Sequence, residues 1–143
     1  MTFIFNIVTT KRGCNTMENR YEEGLKIFHE MMPERAVSGV DSAPAEHFGP
    51  ELFRISMENV YGTLWSRPGL DRRSRSLVSL GILIALRASE ELAFHFPMAL
   101  RNGLTVEELE EVVYHSTALA GHPAAGQALR VAERVLNKST PST

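Results

Sequence analysis

Apolar residues recur at three- and four-residue steps along most of the chain, the spacing of one face of an α-helix. Tyr21, Leu25, Phe28 and Met32 set the first such face. They predict a helix over 18–32, weakened at Gly24 and ended by Pro33. Residues 33–49 carry Ser38-Gly39, Ala43-Pro44 and Gly49 ahead of Pro50, and read as a connection. Phe53, Met57, Val60, Tyr61 and Leu64 give a second helix from Glu51 to Trp65, with Pro50 suited to its first turn. Pro68 and Gly69 break it, and Asp71 is a good N-cap for a third helix running to about Ala88. From Leu77 to Leu86 only Ser79 and Gly81 interrupt the apolar side chains. A helix apolar on nearly every face belongs in the middle of a domain. This one is too short to span a bilayer, which takes about 20 apolar residues.

Ser89 is the expected N-cap of a fourth helix, with Glu90 and Glu91 in its first turn, where the positive end of the helix dipole favours acids. Gly103 stands where that helix should stop. Thr105 with Glu108 makes a capping-box pattern for a fifth helix, whose face is Leu109, Val112, Val113, Ser116 and Ala120. The run Gly121-His122-Pro123 is expected to separate it from a sixth helix, in which Ala124, Ala128, Val131 and Val135 face the core. Phe3–Val8 is a weak strand signal and stands alone. The expectation is an all-α domain of about six helices over residues 17–137, with no internal repeat. Residues 1–16 read as a loosely held extension and 138–143 as a frayed tail.

Composition narrows the partners. A chain of 143 residues can bury a real core as one domain. The net charge is −2, whereas nucleic-acid binding needs a basic face, so no nucleic acid is expected. A single cysteine, Cys14, excludes an internal disulfide and any metal site built on paired cysteines. The apolar start MTFIFNIVT has its basic residues, Lys11 and Arg12, after the run, and no small-residue cleavage site follows. That order is wrong for a secretory signal, so the cytoplasm is the expected compartment, with no membrane partner.

Three groups of residues can carry chemistry. Glu91 and His95 are four apart, on one helix face, where a carboxylate orients an imidazole and raises its pKa. Such a pair also occurs as a plain surface contact worth a few tenths of a kcal/mol. Pro97, two residues on, removes an amide donor and frees the carbonyl of Ala93, while Phe94, Phe96 and Met98 make the surroundings apolar. Arg67, Arg72, Arg73 and Arg75 crowd the start of the third helix, a place where anions dock and guanidinium groups grip carboxylates. Pairing with surface acids such as Asp71 or Glu58, or with a neighbouring subunit, explains them as well. His115 and His122 lie seven apart, and a metal site would need a third ligand such as His95. Scattered histidines are usually structural, so no metal is expected. His29 and His47 read as surface residues, and no phosphate loop, nucleophile elbow or CxxC is present.

The segments SRPGLDRRSRSLVSL, HFPMALRNGLTVEELEEVVYHS and LAGHPAAGQALRVA, in this order and spacing, resemble the carboxymuconolactone decarboxylase family. The resemblance runs from about Tyr21 to Leu136. It implies the compact alkylhydroperoxidase-like helical fold and a homo-oligomer, often a trimer or hexamer. One branch of that family carries CxxCxxxH. Aligning its histidine with His95 puts the two cysteines at Ala88 and Glu91 and an upstream glutamate at Ser76, so dithiol peroxidase chemistry is not expected. The other branch resembles the decarboxylase that removes carbon dioxide from a carboxylated muconolactone, with neither metal nor cofactor.

For that branch the resemblance implies His95 and Glu91 as the acid–base pair. Arg72 and Arg75, three apart on one helix face, would hold the substrate's carboxylates. Trp65, His115 and His122 are further candidate substrate-binding residues, not carried over from the family. The chain departs from the pattern at Leu119, where a tyrosine is frequent, at His122, where a small or apolar residue is frequent, and at Pro97. The expected substrate is a small carboxylated lactone or cyclic compound. Isomerisation, cyclisation or hydration of a related intermediate is the rival reaction, and a non-catalytic oligomeric binding protein the rival class.

Overall fold

The computed structural model describes residues 17–34 and 48–136. The strand signal at Phe3–Val8, most of the 33–49 connection and the tail lie outside them. The described residues form helices and turns without a strand, so the chain is all-α. No helix among the described residues is long and apolar enough to cross a membrane.

Two packing units share the chain. The first pairs α1 (Met17–Met31) with α2 (Glu51–Ser56), which runs straight into a π-helix (Met57–Trp65). The heptad-like spacing predicts one α-helix over 51–65, and the second half is wound wider instead. The amide of Ser66 donates to the carbonyl of Tyr61, five residues back, at 3.2 Å, and the hydroxyl of Thr63 donates to that of Glu58 at 2.7 Å. Packing supplies a reason. A methyl group on Gly24 would sit 2.0 Å from the carbonyl oxygen of Met57, and one on Gly62 would sit 2.0 Å from that of Arg20. The two helices therefore cross with backbone against backbone, which only glycine permits. Gly24, a weak point for a lone helix, is what lets the pair close. Around the crossing, Ile27, Phe28, Met31, Met32 and Met57 form a small core, and Phe28 meets Phe53 and Tyr61 edge-on at 5.7 and 5.2 Å between centroids.

The second unit is a four-helix body of α3 (Arg72–Leu86), α4 (Ser89–Arg101), α5 (Val106–Ala120) and α6 (His122–Leu136). Leu80, Ile84, Leu92, Phe96, Leu109 and Val131 are among the side chains that fill its centre. Most of its termini follow the sequence signals. Asp71 accepts from the amide of Ser74 at 2.8 Å and so caps α3. Thr105 and Glu108 exchange both bonds of the capping box at 3.0 and 3.2 Å. Gly103, with φ +96°, follows α4.

Three expectations need correction. Ala88, not Ser89, holds the N-cap position of α4, with no side-chain cap; the Ser89 hydroxyl meets the amide of Gln127 on α6 instead. Gly121 alone separates α5 from α6, and His122 and Pro123 open the new helix, where proline's missing amide costs nothing. Finally, α3 is not buried all round. Ser76, Leu80 and Ile84 point inward, while Val78, Ile82 and Leu86 are exposed, because the other described helices cover only one side of it.

Helix α4 joins the two units. Its Phe96 enters the body core and its Met98 the core of the α1 pair. At its end Arg101 donates to the carbonyl of Met31 at 2.9 Å and pairs with Glu34 at 2.8 Å. Asn102 reaches the buried hydroxyl of Ser76 at 3.0 Å.

Candidate active site

His95 lies in the middle of α4, one residue before Phe96 and three before Met98, so it sits where the helix turns from one core to the other. The side chain is half-buried. Its Nδ1 is shut away from solvent with no hydrogen-bond partner among the described residues. A buried acceptor without a partner is tolerated better than a buried orphan N–H. The neutral ring therefore favours the tautomer with its proton on Nε2. Charging it would put a second, unpaired N–H on the buried side.

Burial accordingly lowers the pKa of His95 below its ordinary 6.5, and the negative charge of Glu91 opposes this only in part. The pairing read from the i,i+4 spacing needs correction in sign. Glu91 is exposed and makes no ion pair or hydrogen bond with the ring among the described residues, so desolvation outweighs it. At neutral pH the ring is held uncharged.

The four arginines do not act as one cluster. Arg72 pairs with Glu30 of α1 at 2.7 Å, and Arg73 pairs with Glu108 of α5. Arg75 donates through Nε to the carbonyl of Leu70 at 3.0 Å and through Nη2 to that of Arg67 at 2.9 Å, bracing the turn before α3. Successive positions on a helix point about 100° apart, so neighbours in sequence serve different partners.

Two hollows gather the remaining candidates. One, of about 190 Å³, is lined by Leu64, Trp65, Leu70, Arg75, Val78 and Ser79, and brings Trp65 and Arg75 together. The other is an open groove of about 520 Å³ between α3 and α5, bounded by Arg73, Leu77, Gly81, Glu108, Val112 and His115, among others. His95 lines neither. His122 is exposed at the start of α6. Among the described residues no three histidine, cysteine or carboxylate side chains gather closely enough to hold a metal ion. Sequence reasoning missed Ser79 and the Arg73–Glu108 pair. The i,i+4 step from Arg75 to Ser79 was the available signal for the first; the second joins distant segments and had none.

Residues 50–134 match the carboxymuconolactone decarboxylase family. The chain is 36% identical over 118 residues to the 4-carboxymuconolactone decarboxylase of Acinetobacter baylyi, covering 82% of this chain and 87% of that one. It is 34% identical over 119 residues to the nitrosuccinic acid decarboxylase of Metarhizium robertsii, covering 82% and 81%. An uncharacterized 15.0 kDa protein of Paracoccus denitrificans is 28% identical over 102 residues, covering 70% of this chain and 76% of its own.

Proposed function

This chain belongs to the carboxymuconolactone decarboxylase family, and we propose that it removes carbon dioxide from a small carboxylated lactone or cyclic acid, with His95 supplying the proton. The observation that supports the role is the ring itself: half-buried, one nitrogen sealed and unpartnered, and held neutral by burial. The names of two relatives pair a departing carboxylate with an electron-withdrawing group, a lactone in one and a nitro group in the other. In either setting the carbon–carboxylate bond breaks and its electron pair is delocalised onto oxygen. A proton must then be added to carbon to complete the exchange of carbon dioxide for hydrogen.

An anionic substrate arriving beside the ring raises its pKa and favours the imidazolium. The imidazolium protonates the carbanion carbon, ends neutral, and regains its proton from water. Glu91, within electrostatic reach, is a positioning residue that supports the charged form. Arg75 and Trp65, together in one hollow, are suited to grip a carboxylate; two of Arg75's guanidinium nitrogens are already fixed by backbone carbonyls, which holds the third in place. Arg72, His115 and His122 have a weaker case, since the first is ion-paired and the other two are exposed.

The test is mass spectrometry of the products from a panel of carboxylated lactones and nitro acids. A product lighter by one carbon dioxide is expected with the wild type, and His95→Ala should lower turnover by about 10²- to 10⁴-fold. A product of unchanged mass would identify an isomerase or cyclase, and full turnover by His95→Ala would remove the proposed role of the ring.

A further inference from the structure

A serine inside a helix ordinarily turns its hydroxyl back to the carbonyl four residues earlier. Ser56 and Ser116 do so here, at 2.9 and 2.7 Å, while the hydroxyls of Ser76 and Ser89 accept from Asn102 and Gln127. Every other serine and threonine hydroxyl among the described residues is engaged as well, except one. Ser79, half-buried in the middle of α3, neither gives nor accepts a hydrogen bond among the described residues.

That hydroxyl lines the 190 Å³ hollow with Trp65 and Arg75. Arg75 precedes it by four residues, so the two side chains rise on the same face of α3. Arg72 and Arg73 are matched by carboxylates, but Arg75 is not. Its Nε and Nη2 donate to neutral carbonyls, which leaves its charge uncompensated and its Nη1 unbonded among the described residues. The hollow therefore presents a cation and a hydroxyl with unused donors, beside an indole and the apolar walls of Leu64, Leu70 and Val78.

We propose that Ser79 is a substrate-binding residue: its hydroxyl and the Nη1 of Arg75 grip one carboxylate from the same side. The inference deepens the decarboxylase reading and rests on it only in taking that carboxylate to be the substrate's. Chemistry sets the class of ligand. One uncompensated guanidinium matches one negative charge, and its planar fork matches a planar carboxylate, with the hydroxyl as the added donor. A phosphate dianion would leave a charge unmatched, and a neutral amide would forgo the charge altogether. The apolar walls favour a compact hydrocarbon or ring body next to the carboxylate. A carboxylate stabilised in this way gives up carbon dioxide less readily, so the gripped group is the one the product keeps.

Trp65 is the chain's only tryptophan, so its fluorescence reports on the hollow without any turnover. Cyclopentanecarboxylate titrated into the full chain should change that emission saturably, with cyclopentanecarboxamide and inorganic phosphate binding more weakly. Ser79→Ala should weaken the carboxylate by about 10-fold, the size of one hydrogen bond to a charged group, and the amide much less. Alanine suits a helix better than serine, so α3 keeps its fold, and Ser79→Thr, which retains the hydroxyl, should restore most of the affinity. A merely structural defect would weaken both ligands alike and would not be rescued. The proposal is overturned by a wild type whose emission does not respond to the carboxylate at high millimolar concentration. It is also overturned by Ser79→Ala binding the carboxylate as the wild type does, or losing both ligands equally. These results stand whether or not decarboxylation is found. Where turnover is measured, the same carboxylate should raise KM and leave kcat unchanged; a lowered kcat at constant KM would overturn the assignment of the gripped carboxylate to the substrate.

Discussion

The four-helix body and the α1–π-helix pair are both helix-on-helix packings, but they are held by different physics. In the body, side chains keep the helices apart and fill the space between them, with Leu80, Leu92 and Phe96 fully sealed. In the pair, two glycines remove the side chains at the crossing and the backbones themselves meet. Its small core is built on methionines, which adapt to an irregular space, and on aromatic edges. A periodic pattern of apolar residues announces both packings equally. It says which side of a helix is covered and leaves unsaid how near the covering element comes.

Truncation separates the two most sharply. Phe96→Ala should cost about 3–5 kcal/mol in urea unfolding, because the cavity would lie in a dense core that cannot collapse around it. Gly62→Ala should follow at about 2–3 kcal/mol, as a new methyl is forced against the carbonyl of Arg20. The sign of the second result is the informative part. Alanine is the better helix former by about 1 kcal/mol, so a helix with room at that position would be stabilised. A neutral or stabilising Gly62→Ala would mean that the two backbones do not touch, and the contrast between the regions would fail.

The same contrast explains what the sequence could convey. Capping residues act within four positions of themselves, so Asp71, Thr105 with Glu108, and Gly103 were readable. Ser89 misled because a partner on α6, Gln127, engages its hydroxyl, and that partner is 38 positions away. The π winding was not readable, since nothing local marks the backbone approach of Gly24 to Met57. At the site, His95 stood out correctly as an imidazole among apolar neighbours. The sign of its pKa shift did not, because spacing gives the presence of Glu91 and not the depth of the ring. The arginine cluster was visible as a cluster, while its three separate destinations depend on Glu30, Glu108 and the turn carbonyls.

The smallest of the three effects is a slope with pH, and it tests whether the helix common to both regions keeps its imidazole dry. Burial lowers the folded-state pKa of His95 below the ordinary 6.5 that the unfolded chain retains. Between those two values the unfolded chain binds the extra proton and the folded chain does not, so stability rises with pH across the window. The contribution is complete above about 6.5 and is lost as the pH falls toward the folded-state value. Urea midpoints taken from pH 7.5 down to 5.5 should therefore fall faster for the wild type than for His95→Gln, whose side chain does not titrate. Carboxylates elsewhere are common to both proteins and cancel in the comparison. A wild type that instead gains stability relative to His95→Gln on acidification would mean that the charge of Glu91 governs the ring. Desolvation at the seam of the two units would then be the minor influence, and the neutral resting state assigned to the proton donor would be wrong.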